Sequence, residues 1–321
     1  MTNSLFQVLS CAFVVGCCLV ACAGPKEDAP GDETPEAQAS AFAAAPLTVY
    51  TVNYPLAYFA ERIGGERVEA VLPAPPDVDP ANWSPDPDTV AAYQGADLIL
   101  LNGAGYAKWV ARSSLPESRL IDTSAPFREE LLPLEGVATH THGPGGEHVH
   151  AGWAFTTWLD PALAKEHARA VAAALAGASP ADAALFADRL AGLEADLESL
   201  DRRLTAARQT LADRPILFSR PVYQYLIRRY GLNARSVHWE PGEMPGEEMW
   251  RELEGILEHH PARLMIWEGE PLPDLAERLE ALGIASIVFD PCANTPADGD
   301  LMSVMERNSV SLEGAAGPGS S

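Results

Sequence analysis

Phe186, Leu190, Leu193, Leu197, Leu200, Leu204, Ala207 and Leu211 recur at alternating steps of four and three, a period that lays one apolar stripe along a single helix. Ser179-Pro180-Ala181-Asp182 ahead of them offers an N-cap with proline at the first helical position. At 1.5 Å per residue a helix over 179–212 spans about 50 Å, long enough to run past two bodies of ordinary domain size. The same steps are those of a heptad, so a dimeric coiled coil competes. A stripe packed on the chain's own lobes, leaving a monomer, is the expected arrangement.

On both sides of that helix, strand-like and helix-like runs alternate. Leu47 to Val52 is β-rich, and Leu56, Phe59, Ala60 and Ile63 follow at helical spacing until Gly64-Gly65. Val68 to Leu72, Leu98 to Asn102 and Leu120 to Asp122 read as further strands. After Pro215 the scheme restarts with Ile216-Leu217-Phe218, a helix to Arg229, Leu264 to Trp267, a helix from Pro273 to Leu282, and Ile287 to Asp290. This alternation predicts an α/β protein of two lobes with mainly parallel sheets: an N-terminal lobe over 46–178, the linking helix over 179–212, a C-terminal lobe over 213–313 and a flexible tail over 314–321.

The chain's beginning reads as an export signal. Leu5 to Ala21 is apolar and uncharged, the length of a secretory core and short for a spanning helix. Leu19-Val20-Ala21-Cys22 resembles a bacterial lipobox, which implies a signal peptide over 1–22 and lipid on Cys22, although Met-Thr-Asn-Ser-Leu carries no basic residue. Residues 23–45 are rich in Pro, Ala and acid, with too little apolar surface to fold, and read as a tether. Cys11, Cys17 and Cys18 fall in the leader, so Cys292 stands alone in the mature domain and neither a disulfide nor a cysteine-based zinc cage is available. The formal charge of −23 argues against nucleic acid and suits a cation.

Four of the eight histidines crowd into His140-Thr141-His142-Gly-Pro-Gly-Gly-Glu-His148-Val149-His150. A Gly/Pro-rich loop over 139–151 needs no histidine for solubility, and two His-x-His pairs can bring neutral imidazoles to one transition-metal ion. Zinc is the expected ion, and Mn2+, Cu2+ and Ni2+ accept the same donors.

Tyr50-Thr51-Val52-Asn53-Tyr54-Pro55-Leu56, Ile63-Gly64-Gly65-Glu66-Arg67-Val68, Asp79-Pro80-Ala81-Asn82-Trp83, Ala96-Asp97-Leu98, Asn102-Gly103, Trp158-Leu159-Asp160-Pro161, Arg229-Tyr230-Gly231-Leu232 and Phe289-Asp290-Pro291 together resemble the zinc and manganese solute-binding lipoproteins of ABC transporters. The resemblance covers nearly the whole mature chain. It implies two α/β lobes joined by one rigid helix, a metal in the cleft, an ABC-type permease as partner, and a lipid anchor on the outer face of the cytoplasmic membrane or in the periplasm. A histidine-rich loop ahead of Trp-Leu-Asp-Pro fits the same family.

The ligands depart from it. The resemblance implies histidines where this chain holds Ala81, Thr156 and Arg220, and only the acidic position, Asp290, matches. Glu240, Glu243, Glu268 and Glu270 end strands or follow them and are candidates to face the cleft; Glu240, Glu268 and Glu270 are the acids expected to join Asp290 and the loop. Arg220 cannot ligate a cation but can fork onto a carboxylate, so it is expected to pair with Asp290 or Glu268. His238, beside Glu240, reads as a non-ligating cleft residue; His167, His259 and His260 fall among charges on helices and are expected at the surface.

Three functions follow: metal capture for uptake, a degenerate homologue acting as a surface metal buffer or adhesion module, and a zinc metalloenzyme. The last is disfavoured, because neither His-Glu-x-x-His nor another hydrolase ligand motif is present.

Overall fold

The computed structural model describes residues 45–134 and 152–315. The leader with Cys22, the tether, and the loop carrying His140, His142, His148 and His150 lie outside the described residues.

Two four-stranded sheets form, and every strand pair in both is parallel. The first, in order β2-β1-β3-β4, comprises β1 (Leu47–Thr51), β2 (Val68–Val71), β3 (Leu98–Leu101) and β4 (Leu120–Asp122), with α1 (Tyr54–Gly64) and α2 (Pro87–Gly95) between strands. The second, in order β6-β5-β7-β8, comprises β5 (Ile216–Phe218), β6 (Ala234–Ser236), β7 (Leu264–Trp267) and β8 (Ala285–Val288). Its helices are α5 (Gln224–Tyr230), α6 (Glu247–His259) and α7 (Pro273–Ala281), and α8 (Leu301–Gly314) closes the described chain. Between the sheets run α3 (Pro161–Ala178) and α4 (Ala183–Leu211).

Period two explains how the second sheet buries both faces. Ile216, Phe218, Leu264 and Ile266 join the large core shared with the first lobe and α4, whereas Leu217, Met265 and Trp267 meet Trp250, Leu253, Leu275 and Leu279 on the opposite side. The α4 stripe is covered within the chain. Phe186, Leu193, Leu197, Leu200, Leu204, Ala207 and Leu211 are buried, and α4 packs against α1, α3 and α8.

The helix begins later than the Ser179 cap predicts. Pro180–Asp182 is a short 3-10 turn, and the Ser179 hydroxyl bonds the Asp182 carboxylate at 2.7 Å instead of capping an α-helical N–H. The remaining 29 residues of α4 span about 43 Å. The last strand also ends before Asp290, whose N–H turns to the Asn308 side chain of α8 at 3.0 Å.

His167 and His260 are interior, not surface, residues: they are 1% and 8% exposed, while His259 is exposed. His260 Nε2 meets the Ile216 carbonyl at 2.9 Å. His167 is held between Thr123 and Thr157, with both ring nitrogens 2.7 Å from a hydroxyl. Because Thr123 donates its own proton to the Leu101 carbonyl, Nδ1 must donate to Thr123 and Nε2 must accept from Thr157.

Burial lowers the His167 pKa from 6.5 to about 3. In that window the unfolded chain binds the proton and the folded one does not, so stability falls as pH drops below about 6.5, by about 1.4 kcal/mol per unit from this group. Urea unfolding from pH 7 to 5 should show this slope, and His167→Gln should lose it.

Candidate metal centre

The carboxyl ends of both sheets converge on one interlobe cleft. Asn53, after β1, caps α1 by accepting from Leu56 N–H at 3.2 Å and donates to the Asn102 side chain, after β3, at 3.0 Å. Asn102 in turn donates to the Phe155 carbonyl at 2.9 Å. Hydrogen bonds then cross between lobes: Trp158 Nε1 to the Pro291 carbonyl at 2.7 Å, Tyr54 N–H to the Ala293 carbonyl at 2.9 Å, and Asn294 Nδ2 to the carbonyls of Pro75 and Val78 at 2.6 and 2.8 Å. Asp160, which caps α3, lies 3.5 Å from Arg228 and 3.6 Å from Arg229 of α5.

The positions that the resemblance marks for histidine are filled by groups engaged elsewhere. Ala81 is buried. Thr156 is buried too and donates its hydroxyl proton across the lobes to the Val222 carbonyl. Arg220, after β5, places Nη1 2.7 Å from Glu268 Oε1, after β7, and 3.4 Å from Glu240 Oε2. It does not pair with Asp290, which instead accepts the Cys292 N–H at 2.7 Å.

Burial disfavours the Arg220 charge, but the hydrogen bond and charge of Glu268, with Glu240 and Asp79, hold its pKa above the ordinary value. Burial raises the Glu268 pKa, opposed by Arg220, and burial likewise raises that of Asp290. Asp79 belongs to the first lobe, so its influence on both Arg220 and Glu268 is exerted across the cleft. The fully buried Tyr223 has its phenol pushed far up, by burial first and then by Glu268 and Asp290, against Arg220.

The other candidates are dispersed. Glu270 and Glu243 are exposed, and His238 is exposed between buried Val237 and Trp239. Among the described residues no group of three or more His, Cys, Asp or Glu side chains is gathered to hold a metal ion. Asp290, Glu268, Glu270 and Glu240 therefore do not make a ligand set by themselves: Glu268 and Glu240 face a guanidinium, and one Asp290 oxygen is committed to the backbone.

Sequence reasoning missed Asp79 as a cleft charge, although its Asp-Pro motif was visible. It also missed two buried hydroxyls, those of Tyr106 and Ser219, that have no hydrogen-bond partner among the described residues.

Two parallel-sheet lobes that share one long helix, with hydrogen bonds crossing between the ends of their strands, have the architecture of a two-lobed solute-binding protein. Residues 49–315 match the family described as zinc-uptake complex component A, periplasmic (ZnuA), and the chain belongs to that family. It is 23% identical over 271 residues to the high-affinity zinc uptake system protein ZnuA of Bacillus subtilis, covering 83% of this chain and 80% of that protein. It is 26% identical to the manganese ABC transporter substrate-binding lipoprotein PsaA of Streptococcus pneumoniae, over 60% of this chain and 62% of that one. The fold resembles the metal-dependent lipoprotein YcdH of Bacillus subtilis, with TM-score 0.71 and 20% identity over 84% of this chain and 98% of that one. The Zn(II)-bound ZnuA-like domain of Streptococcus pneumoniae AdcA superposes with TM-score 0.70 at 20% identity, over 84% and 99% of the two chains.

Proposed function

We propose that this chain is the metal-binding component of an ABC-type uptake system, with zinc as its cargo and a membrane permease as the receiver. The observation that carries this reading is the family match over the whole two-lobed body, residues 49–315. Among the relatives are proteins named as lipoproteins, which supports lipid on Cys22 and a place outside the cytoplasmic membrane. No helix among the described residues is long and apolar enough to cross a membrane.

Metal capture falls to the histidine loop, because two of the cleft's carboxylates, Glu268 and Glu240, are held by the Arg220 guanidinium. The described chain on either side of that loop is pinned: Leu134 N–H bonds the Gly152 carbonyl at 2.9 Å, and Ala154 N–H bonds the Leu132 carbonyl at 2.8 Å. The bridged chain runs on to Thr156, whose hydroxyl donates to the second-lobe Val222 carbonyl, so the loop is tied to a segment that borders the interlobe cleft. The ligands we assign are His140, His142, His148 and His150, with Asp290 as the carboxylate.

Replacing the four histidines by Ala should abolish most zinc binding in an equilibrium titration of the full chain while leaving the thermal midpoint of the metal-free protein unchanged. Wild-type affinity should fall as pH drops through about 6.5, because imidazole must be neutral to bind. Unchanged affinity in the variant would remove the loop from the site.

One observation favours a second reading, a surface metal buffer that no longer delivers ions to a permease: Arg220 stands in the cleft on Glu268. Failure of the chain to support zinc uptake in cells, with zinc binding intact, would select it.

A further inference from the structure

The carboxyl edge of the first sheet holds a concavity of about 530 Å³ that no residue of the second lobe lines. Its wall includes Val52, Leu101, Tyr106 and Val110, and Lys108 and Arg112 also line it. The same two cations border a neighbouring hollow of about 370 Å³ with Trp83 and Trp109. β1 and β3 are adjacent in the sheet although β2 separates them in sequence, so Val52 and Leu101 open at the point where strand order reverses. Open parallel sheets leave their ligand crevice at such a point.

Two features give the hollow a chemistry, its unpaired cations and its apolar wall. The chain carries a formal charge of −23, and Lys165, the other described lysine, is ion-paired with Glu198 at 3.0 Å. Lys108 and Arg112 are exposed and make no ion pair among the described residues. Ionic screening confines distant acids to a reach of about 8 Å at physiological salt, and the acid in the wall, Asp122, is already engaged by Arg128 at 3.3 Å and by the Ser124 N–H and hydroxyl at 3.0 and 2.8 Å, which leaves Lys108 and Arg112 to meet an entering anion. Tyr106, 2% exposed, gives the wall a buried aromatic side chain.

The chain enters the site through Gly103, Ala104 and Gly105 at φ 73°, 51° and 72°. For Ala104 that conformation is strained, and such strain gathers where binding requires it. Gly103 is fixed in type as well, because a Cβ there would stand 1.8 Å from Ser124 Oγ.

We infer that this hollow binds a small carboxylate with an apolar body, independently of the metal. Lys108 and Arg112 pair with the carboxylate, and Val52, Leu101 and Val110 cover the apolar part.

The test is a titration of the isotopically labelled full chain, followed by amide NMR, with benzoate, its neutral counterpart benzamide, and inorganic phosphate as probes. Benzoate should shift amides between Leu101 and Arg112 saturably, in the millimolar range expected of so small a ligand, and more weakly as salt rises. Benzamide and phosphate should each bind at least tenfold more weakly. The double variant Lys108→Gln/Arg112→Gln should weaken benzoate at least tenfold with no change in thermal midpoint, and the four-histidine loop variant should bind benzoate as the wild type does. Benzamide or phosphate binding as tightly as benzoate, shifts that persist in the double variant, or no saturable response would each overturn the assignment.

Discussion

Asp160→Ala should destabilise the two-lobed body by about 2–4 kcal/mol, the cost of removing one partner from a buried charge network together with a helix cap. The Asp160 side chain is 5% exposed. Its Oδ1 accepts from Ala162 N–H at 2.9 Å, opening α3, while its two oxygens face Arg228 and Arg229. Those arginines have other partners: Arg228 donates to the Glu130 carbonyl at 2.8 Å, and Arg229 pairs with Asp201 of α4. They are also about one-third exposed, which keeps the loss below that of a fully stranded charge. Asp160→Asn retains a capping oxygen and drops the charge, so about half the effect should remain. Urea midpoints for the two variants measure the division, and an Ala variant as stable as wild type would show that the network holds nothing together.

This network also shows what the sequence could and could not disclose. The motifs Trp158-Leu159-Asp160-Pro161 and Arg229-Tyr230-Gly231-Leu232 were each legible, but their mutual contact joins residues far apart in the chain that carry no shared periodicity. The α4 stripe was legible for the opposite reason, since its information is local. His167 was misread from its charged neighbours, Lys165, Glu166 and Arg169. Its spacing of four from both Leu163 and Val171, each buried, was the better signal for an inward position. In α8 the same kind of local signal lies in the sequence: Leu301, Val304, Met305 and Leu312 share the buried face, and Asp300 with Ser303 forms a capping box. The pairing of Arg220 with Glu268 required the strand order, because only the adjacency of β5 and β7 brings the loops after them together.

That pairing sets the other large effect. Arg220→His should tighten zinc binding by tenfold or more, equivalent to about 1.4 kcal/mol or above. The guanidinium is permanently charged and occupies Glu268 at 2.7 Å and Glu240 at 3.4 Å; an imidazole in its place is a ligand when neutral and releases both carboxylates. The gain should be largest above about pH 6.5, where the new imidazole is unprotonated. Arg220→Ala separates the two contributions, because it frees the acids without adding a donor. Burial already raises the Glu268 pKa against the opposition of Arg220, so deleting the cation should raise it further and cost about 1–3 kcal/mol of stability near neutral pH. That cost should shrink as pH falls and Glu268 becomes protonated. If neither variant changes zinc affinity, the arginine is not what keeps Glu268 and Glu240 from the ion, and the missing donors at Ala81 and Thr156 are enough to leave the ion to the loop and Asp290.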